Sequence, residues 1–173
     1  SGGRDDARAL RSASGEVWTL DEINPWHFRA PLSPLLAARR QGVRVSVDEV
    51  LRFVKRFRQR YPVVLVEGAG GLLSPLGEGF STRELIVGLA ARPVVVVPNR
   101  LGAVNQALLV LAALPTKFAR RAPVVLVDSS RPDSSSDTNP GLLAESLGAD
   151  RLHRLPWLKD GVEATLGGRL GPR

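Results

Sequence analysis

A chain of 173 residues that is 43% hydrophobic can bury one sizeable core, which excludes a disordered tail or a small cross-linked module and predicts a single domain over 1–173. Cysteine is absent, so disulfides, thiolate nucleophiles and Cys-based metal sites are excluded, and the two isolated histidines do not make a zinc site. The formal net charge of +7 suits phosphates or anionic metabolites, but the charges are scattered and aromatics amount to 5%, so nucleic acid is not an expected partner.

The chain has no run near the roughly 18 apolar residues of a membrane span, and its first residues lack the apolar stretch of a signal peptide, so no membrane partner and a cytoplasmic location are expected. Methionine is also absent, so residue 1 is expected to lie inside a longer parent. Residues 1–44 are rich in Gly, Pro and Arg and read as irregular, with short helices over 6–13 and near 35–40. Between them lies the compact segment Asn24-Pro25-Trp26-His27-Phe28. Asp5 and Asp6 precede the first helix and read as N-capping residues.

Ser46-Val47-Asp48-Glu49 is a capping box, in which a hydroxyl and a carboxylate satisfy each other's orphan backbone amides. A helix starts there. Val47, Val50, Leu51, Val54 and Phe57 fall on one face, with Arg52, Lys55, Arg56, Gln59 and Arg60 on the other. Pro62 stops it, and Val63-Val64-Leu65-Val66 reads as a strand buried on both faces of a parallel sheet. The design recurs at Val94-Val95-Val96-Val97 and Val124-Val125-Leu126-Val127, each run preceded by proline. A second capping box, Ser81-Thr82-Arg83-Glu84, opens one intervening helix, and another spans about 103–114. Strands alternating with helices in this way argue for an α/β fold with a parallel sheet. Residues 128–140, dense in Ser, Asp and Pro, read as a mobile loop; a helix over 141–147 and a short segment at 151–155 follow.

Ligands of open parallel sheets bind beyond the carboxyl ends of the strands. After the first run stands Glu67-Gly68-Ala69-Gly70-Gly71. A carboxylate there can hold Mg²⁺, and glycines let backbone amides approach phosphate, although a Gly-rich turn with a solvated glutamate has the same sequence. After the second run, Leu101-Gly102-Ala103-Val104-Asn105 either offers amides to an anion or is an ordinary glycine N-cap. After the third, Asp128 either accepts hydrogen bonds from a ligand or starts an Asx turn. His27 and His153 have no nearby partner and read as packed or solvated.

Taken together, Val64-Leu65-Val66-Glu67-Gly68-Ala69-Gly70-Gly71, Pro75-Leu76, Leu101-Gly102-Ala103-Val104-Asn105-Gln106 and Leu155-Pro156-Trp157-Leu158, with Asn24-Pro25-Trp26-His27-Phe28 and Pro31-Leu32-Ser33-Pro34, resemble dethiobiotin synthetase. The resemblance runs from residue 1 to about 163. It implies a P-loop NTPase-like parallel sheet flanked by helices. The implied activity is ATP- and Mg-dependent closure of a ureido ring from 7,8-diaminononanoate and CO₂, in a homodimer. Asp6 and Glu67 then match carboxylates that bind Mg and the nucleotide phosphates, and Gly68, Ala69 and Gly70 match backbone lining. Asp128, Pro156, Trp157, Leu158 and Glu163 match the adenine and ribose side; Ser1, Leu101, Gly102 and Asn105 match substrate contacts, the last three reaching the substrate of the other subunit.

The sequence departs from that pattern in three places. It contains no Gly-Lys-Thr or Gly-Lys-Ser, so the family's N-terminal strand, P-loop and helix are missing, and Lys55, Lys117 and Lys159 do not replace the catalytic lysines. Val127 stands where the family has a base-recognising asparagine, and Leu35 where it has a histidine. Removal of an interior strand is expected to leave unpaired backbone and an uncovered apolar flank. Two other readings remain at this stage: a non-catalytic homologue that serves as a binding partner, and another amidoligase-like P-loop protein.

Overall fold

The computed structural model describes residues 4–15 and 17–158. Ser1 and Glu163, both assigned to the site by resemblance, lie outside them. The chain divides into two compact units, Ser1–Ala91 and Arg92–Arg173.

In the first unit, α1 (Asp5–Ala13) packs against the short α2 (Leu20–Ile23), followed by α3 (Pro34–Arg40) and α4 (Val47–Arg58). Asp5 and Asp6 are not the N-cap of α1: Arg4 holds that position without a side-chain cap bond, and the two carboxylates sit in the first turn, where they complement the positive end of the helix dipole. Both expected capping boxes are formed, at Ser46 for α4 and at Ser81 for α5 (Thr82–Leu89). A third, at Thr19 and Glu22, opens α2.

A small antiparallel pair, β1 (Pro75–Gly77) and β2 (Phe80–Ser81), leads into α5. The core of this unit joins Phe28, Ala37, Val45, Val50, Val54, Phe80 and Leu85. Helix α4 closes it with the apolar face that its periodicity predicts, and Trp18, Phe53 and Phe57 continue that face as a chain of edge and tilted ring contacts at 5.1–5.2 Å.

Residues 63–66 are not a strand. No ladder includes them among the described residues, and Val63 and Leu65 are 74% and 89% exposed. A β-branched run supplies propensity, but strand structure exists only when a neighbour takes its backbone hydrogen bonds.

In the second unit, β3 (Val95–Pro98), α6 (Ala103–Ala113), α7 (Thr116–Ala119), β4 (Val124–Val127), α8 (Asn139–Leu147) and β5 (Leu152–Leu155) form a parallel sheet in the order β3-β4-β5. Val95 pairs with Val124 and Val124 with Leu152. Helix α6 packs on β3 and α8 on β5, and the two helices touch each other. The valine runs predict burial on both faces, whereas β3 alternates: Val95 and Val97 are buried, while Val94 and Val96 are 56% and 62% exposed. Helices cover one face of this strand and leave the other uncovered.

Candidate functional site

The sequence-predicted residues fall into two clusters, one in each unit. In the first unit, Glu67, Gly68, Ala69 and Gly70 form one turn between residues 63–66 and β1. The exposed Glu67 carboxylate stands at its start. The close approach of Thr82 requires glycine at position 68, because a Cβ there would lie 2.5 Å from the Thr82 hydroxyl oxygen. That oxygen is buried and has no hydrogen-bond partner among the described residues. The Gly71 N–H donates to Ser74 Oγ at 2.9 Å, so the far end of the turn is tied back on itself. Asp6, exposed in the first turn of α1, belongs to the same unit, and no described contact joins it to Glu67.

The fit to Mg²⁺ and nucleotide phosphate can be judged from these atoms. No group of three His, Cys, Asp or Glu side chains that could hold a metal occurs among the described residues. Mg²⁺ on a nucleotide does not need such a cage, since one or two carboxylates plus water and phosphate oxygens hold it. The exposed Glu67 carboxylate at a glycine turn suits an open site of this kind, whereas the Thr82 hydroxyl is buried beneath that turn.

The second cluster lies at the carboxyl ends of β3, β4 and β5, where an α/β sheet presents its ligand-binding loops. Asn99, 2% exposed, is its centre. The Asn99 amide donates to Asp128 Oδ1 at 2.7 Å and to the Ser136 carbonyl at 2.8 Å, and its own Oδ1 accepts from the Asn139 amide at 3.0 Å. Ser136 Oγ donates to the Asn99 carbonyl at 3.0 Å. Asp128 also accepts from Arg154 Nε at 2.8 Å, and its N–H donates to the Leu155 carbonyl at 2.9 Å, which sets it beside Pro156.

Each Asp128 carboxylate oxygen takes one of these bonds, Oδ1 from Asn99 and Oδ2 from Arg154, so the side chain is held in place while each oxygen keeps a further lone pair. Burial pushes the Asp128 pKa up, yet the hydrogen bonds from Asn99 and Arg154 outweigh it and hold the carboxyl below the usual aspartate range. Trp157 is 57% exposed and Leu158 half-buried.

The loop after β4 is fastened rather than free. Asp133 Oδ2 accepts the Leu101 N–H at 2.7 Å, and Asp133 Oδ1 accepts from the Ser135 N–H and the Ser136 hydroxyl. Its pKa is lowered chiefly by the Leu101 bond. Leu101 is 77% exposed, and Gly102 takes φ +89° as the N-cap of α6, a left-handed conformation that favours glycine. Asn105 is exposed in the first turn of α6. Sequence reasoning missed Asn99, Ser136, Asn139 and Arg154; a polar residue directly after a valine strand was the only signal, and it pointed to Asn99 alone.

A family model described as an AAA domain matches residues 3–165. With a parallel sheet flanked by helices, the chain is thereby a P-loop NTPase-like α/β protein. It is 37% identical over 156 residues to the ATP-dependent dethiobiotin synthetase BioD of Anaeromyxobacter dehalogenans (strain 2CP-C), covering 90% of this chain and 70% of that relative. The protein of the same name from Bacillus subtilis (strain 168) is 30% identical over 162 residues, covering 93% and 70%. The one from Ralstonia nicotianae (strain ATCC BAA-1114 / GMI1000) is 33% identical over 156 residues, covering 89% and 67%. The chain belongs to the dethiobiotin synthetase family.

Proposed function

We propose that the natural protein carrying this sequence is an ATP- and Mg-dependent ligase that makes dethiobiotin from 7,8-diaminononanoate and CO₂ in the cytoplasm. The observation that carries this reading is the match, over nine tenths of the chain, to relatives named for that activity. Mg-ATP supplies the phosphoryl group that turns a carbamate oxygen into a leaving group; the second substrate amine then closes the ring, with ADP and phosphate released. Little covalent chemistry is left to the protein, so positioning and charge neutralisation account for most of the rate.

Glu67 is the residue we assign to the metal, with Asp6 as its companion. Gly68, Ala69 and Gly70 expose backbone between nucleotide and substrate. Asp128 with Pro156, Trp157 and Leu158 lines the nucleoside side. Asn99 and Arg154 fix the position of Asp128, and each of its oxygens keeps a lone pair for a ligand donor. Leu101, Gly102 and Asn105 face the substrate of a second copy in a homodimer. The exposure of Leu101 and Leu109, at 77% and 60%, supports a surface of that kind.

Glu67→Gln in the natural protein tests the assignment. It should lower kcat by about a hundredfold, the scale of a lost electrostatic contact to the reacting groups. Because the side chain is exposed, unfolding free energy should stay within about 0.5 kcal/mol of wild type. An unchanged rate removes Glu67 from the metal site.

A further inference from the structure

Arg52, Lys55 and Arg56 leave the solvent side of α4 within one turn of each other, and with Gln59 they edge an open cleft of about 520 Å³. None of the three cations makes an ion pair among the described residues, whereas Arg39, Arg83 and Arg154 all do.

The wall of the cleft is aromatic and fixed. Trp26 meets Phe53 edge-on at 5.3 Å, both rings pack against the buried core, and the Arg56 guanidinium carbon lies 5.1 Å from the centre of the Phe53 ring. Glu49 is the only carboxylate in the lining. Its Oε2 is held by the Ser46 N–H and hydroxyl at 2.9 and 2.7 Å, and those bonds keep the group ionised. Three cations against one carboxylate leave a surplus of two positive charges, the complement of a phosphomonoester, which carries about −1.5 to −2 at neutral pH.

We propose that this cleft binds an aryl phosphomonoester, its planar ring against Trp26 beside the Phe53 ring that Arg56 covers, and its phosphate among Arg52, Lys55 and Arg56. The site is separate from the Glu67 turn and does not depend on the ligase reading.

The probe is 1-naphthyl phosphate, titrated calorimetrically into the natural protein. Saturable one-to-one binding with Kd on the order of 100 µM is expected, with 1-naphthol and inorganic phosphate each weaker by about tenfold or more. Charge reversal by Arg52→Glu with Arg56→Glu should weaken the aryl ester by at least about tenfold, and the milder Arg52→Gln by about threefold. Circular dichroism establishes that each variant is folded. Absence of saturation, inorganic phosphate binding as tightly as the ester, or folded variants binding like wild type would each overturn the proposal. The last result would assign the anion to another site, the Glu67 turn included.

Discussion

Asn99 shows how much one buried amide can organise. It spans the ends of β3 and β4, fixes Asp128 and reaches Ser136 and Asn139 across the loop, so its removal leaves several buried partners unpaired at once. Asn99→Ala should lower unfolding free energy by about 2 kcal/mol near neutral pH, as read from urea denaturation. The pH dependence has a definite sign. Asp128 is held below its ordinary pKa in the folded state, so its contribution is complete above the unfolded value and is lost as pH falls through the folded value. The gap between wild type and Asn99→Ala should therefore narrow as pH drops below about 4. A gap constant across that range would mean that Asn99 does not act through the carboxylate. None of this could be read from the sequence, because the partners stand 29 to 40 positions away and follow no local pattern.

Among the elements, those set by local chemistry were legible. Ser46 with Glu49 and Ser81 with Glu84 place helix starts where the structure has them, because a capping box satisfies orphan amides within four residues. Ser81 is 7% exposed, and its hydroxyl both accepts from the Arg83 N–H and donates to Glu84 at 2.6 Å. Ser81→Ala should cost about 1–2 kcal/mol in thermal or urea unfolding, while Ser81→Gly should cost only a few tenths from lost capping. Equal losses would point to packing at this site instead.

The same Thr-x-x-Glu pattern at Thr19 was overlooked, since a four-residue helix has no periodicity to draw attention to it. Residues 63–66 show the opposite failure. Their composition matches the runs that became β3 and β4, yet pairing depends on a partner strand, which lies outside the reach of local sequence. The β1–β2 pair, five residues in all, was too short to read.

At the scale of the whole molecule, two compact units each carry part of the residues that the family resemblance selects. The Glu67 turn belongs to the first, and the Asn99–Asp128 network with Leu101, Gly102 and Asn105 to the second. Composition had already directed attention to phosphate chemistry: no thiol, no paired histidines, and a surplus of arginine. The fold class followed from alternating strands and helices, and motif order at the strand ends led to the family. How the two carboxylates differ became clear only from the structure, with Glu67 exposed and Asp128 held by Asn99 and Arg154.

The most direct test is product analysis. The purified natural protein, supplied with 7,8-diaminononanoate, isotopically labelled bicarbonate and Mg-ATP, should yield dethiobiotin labelled at the ureido carbon, with ADP formed in equal amount. A folded protein that binds ATP yet yields no labelled dethiobiotin under those conditions would contradict the assignment.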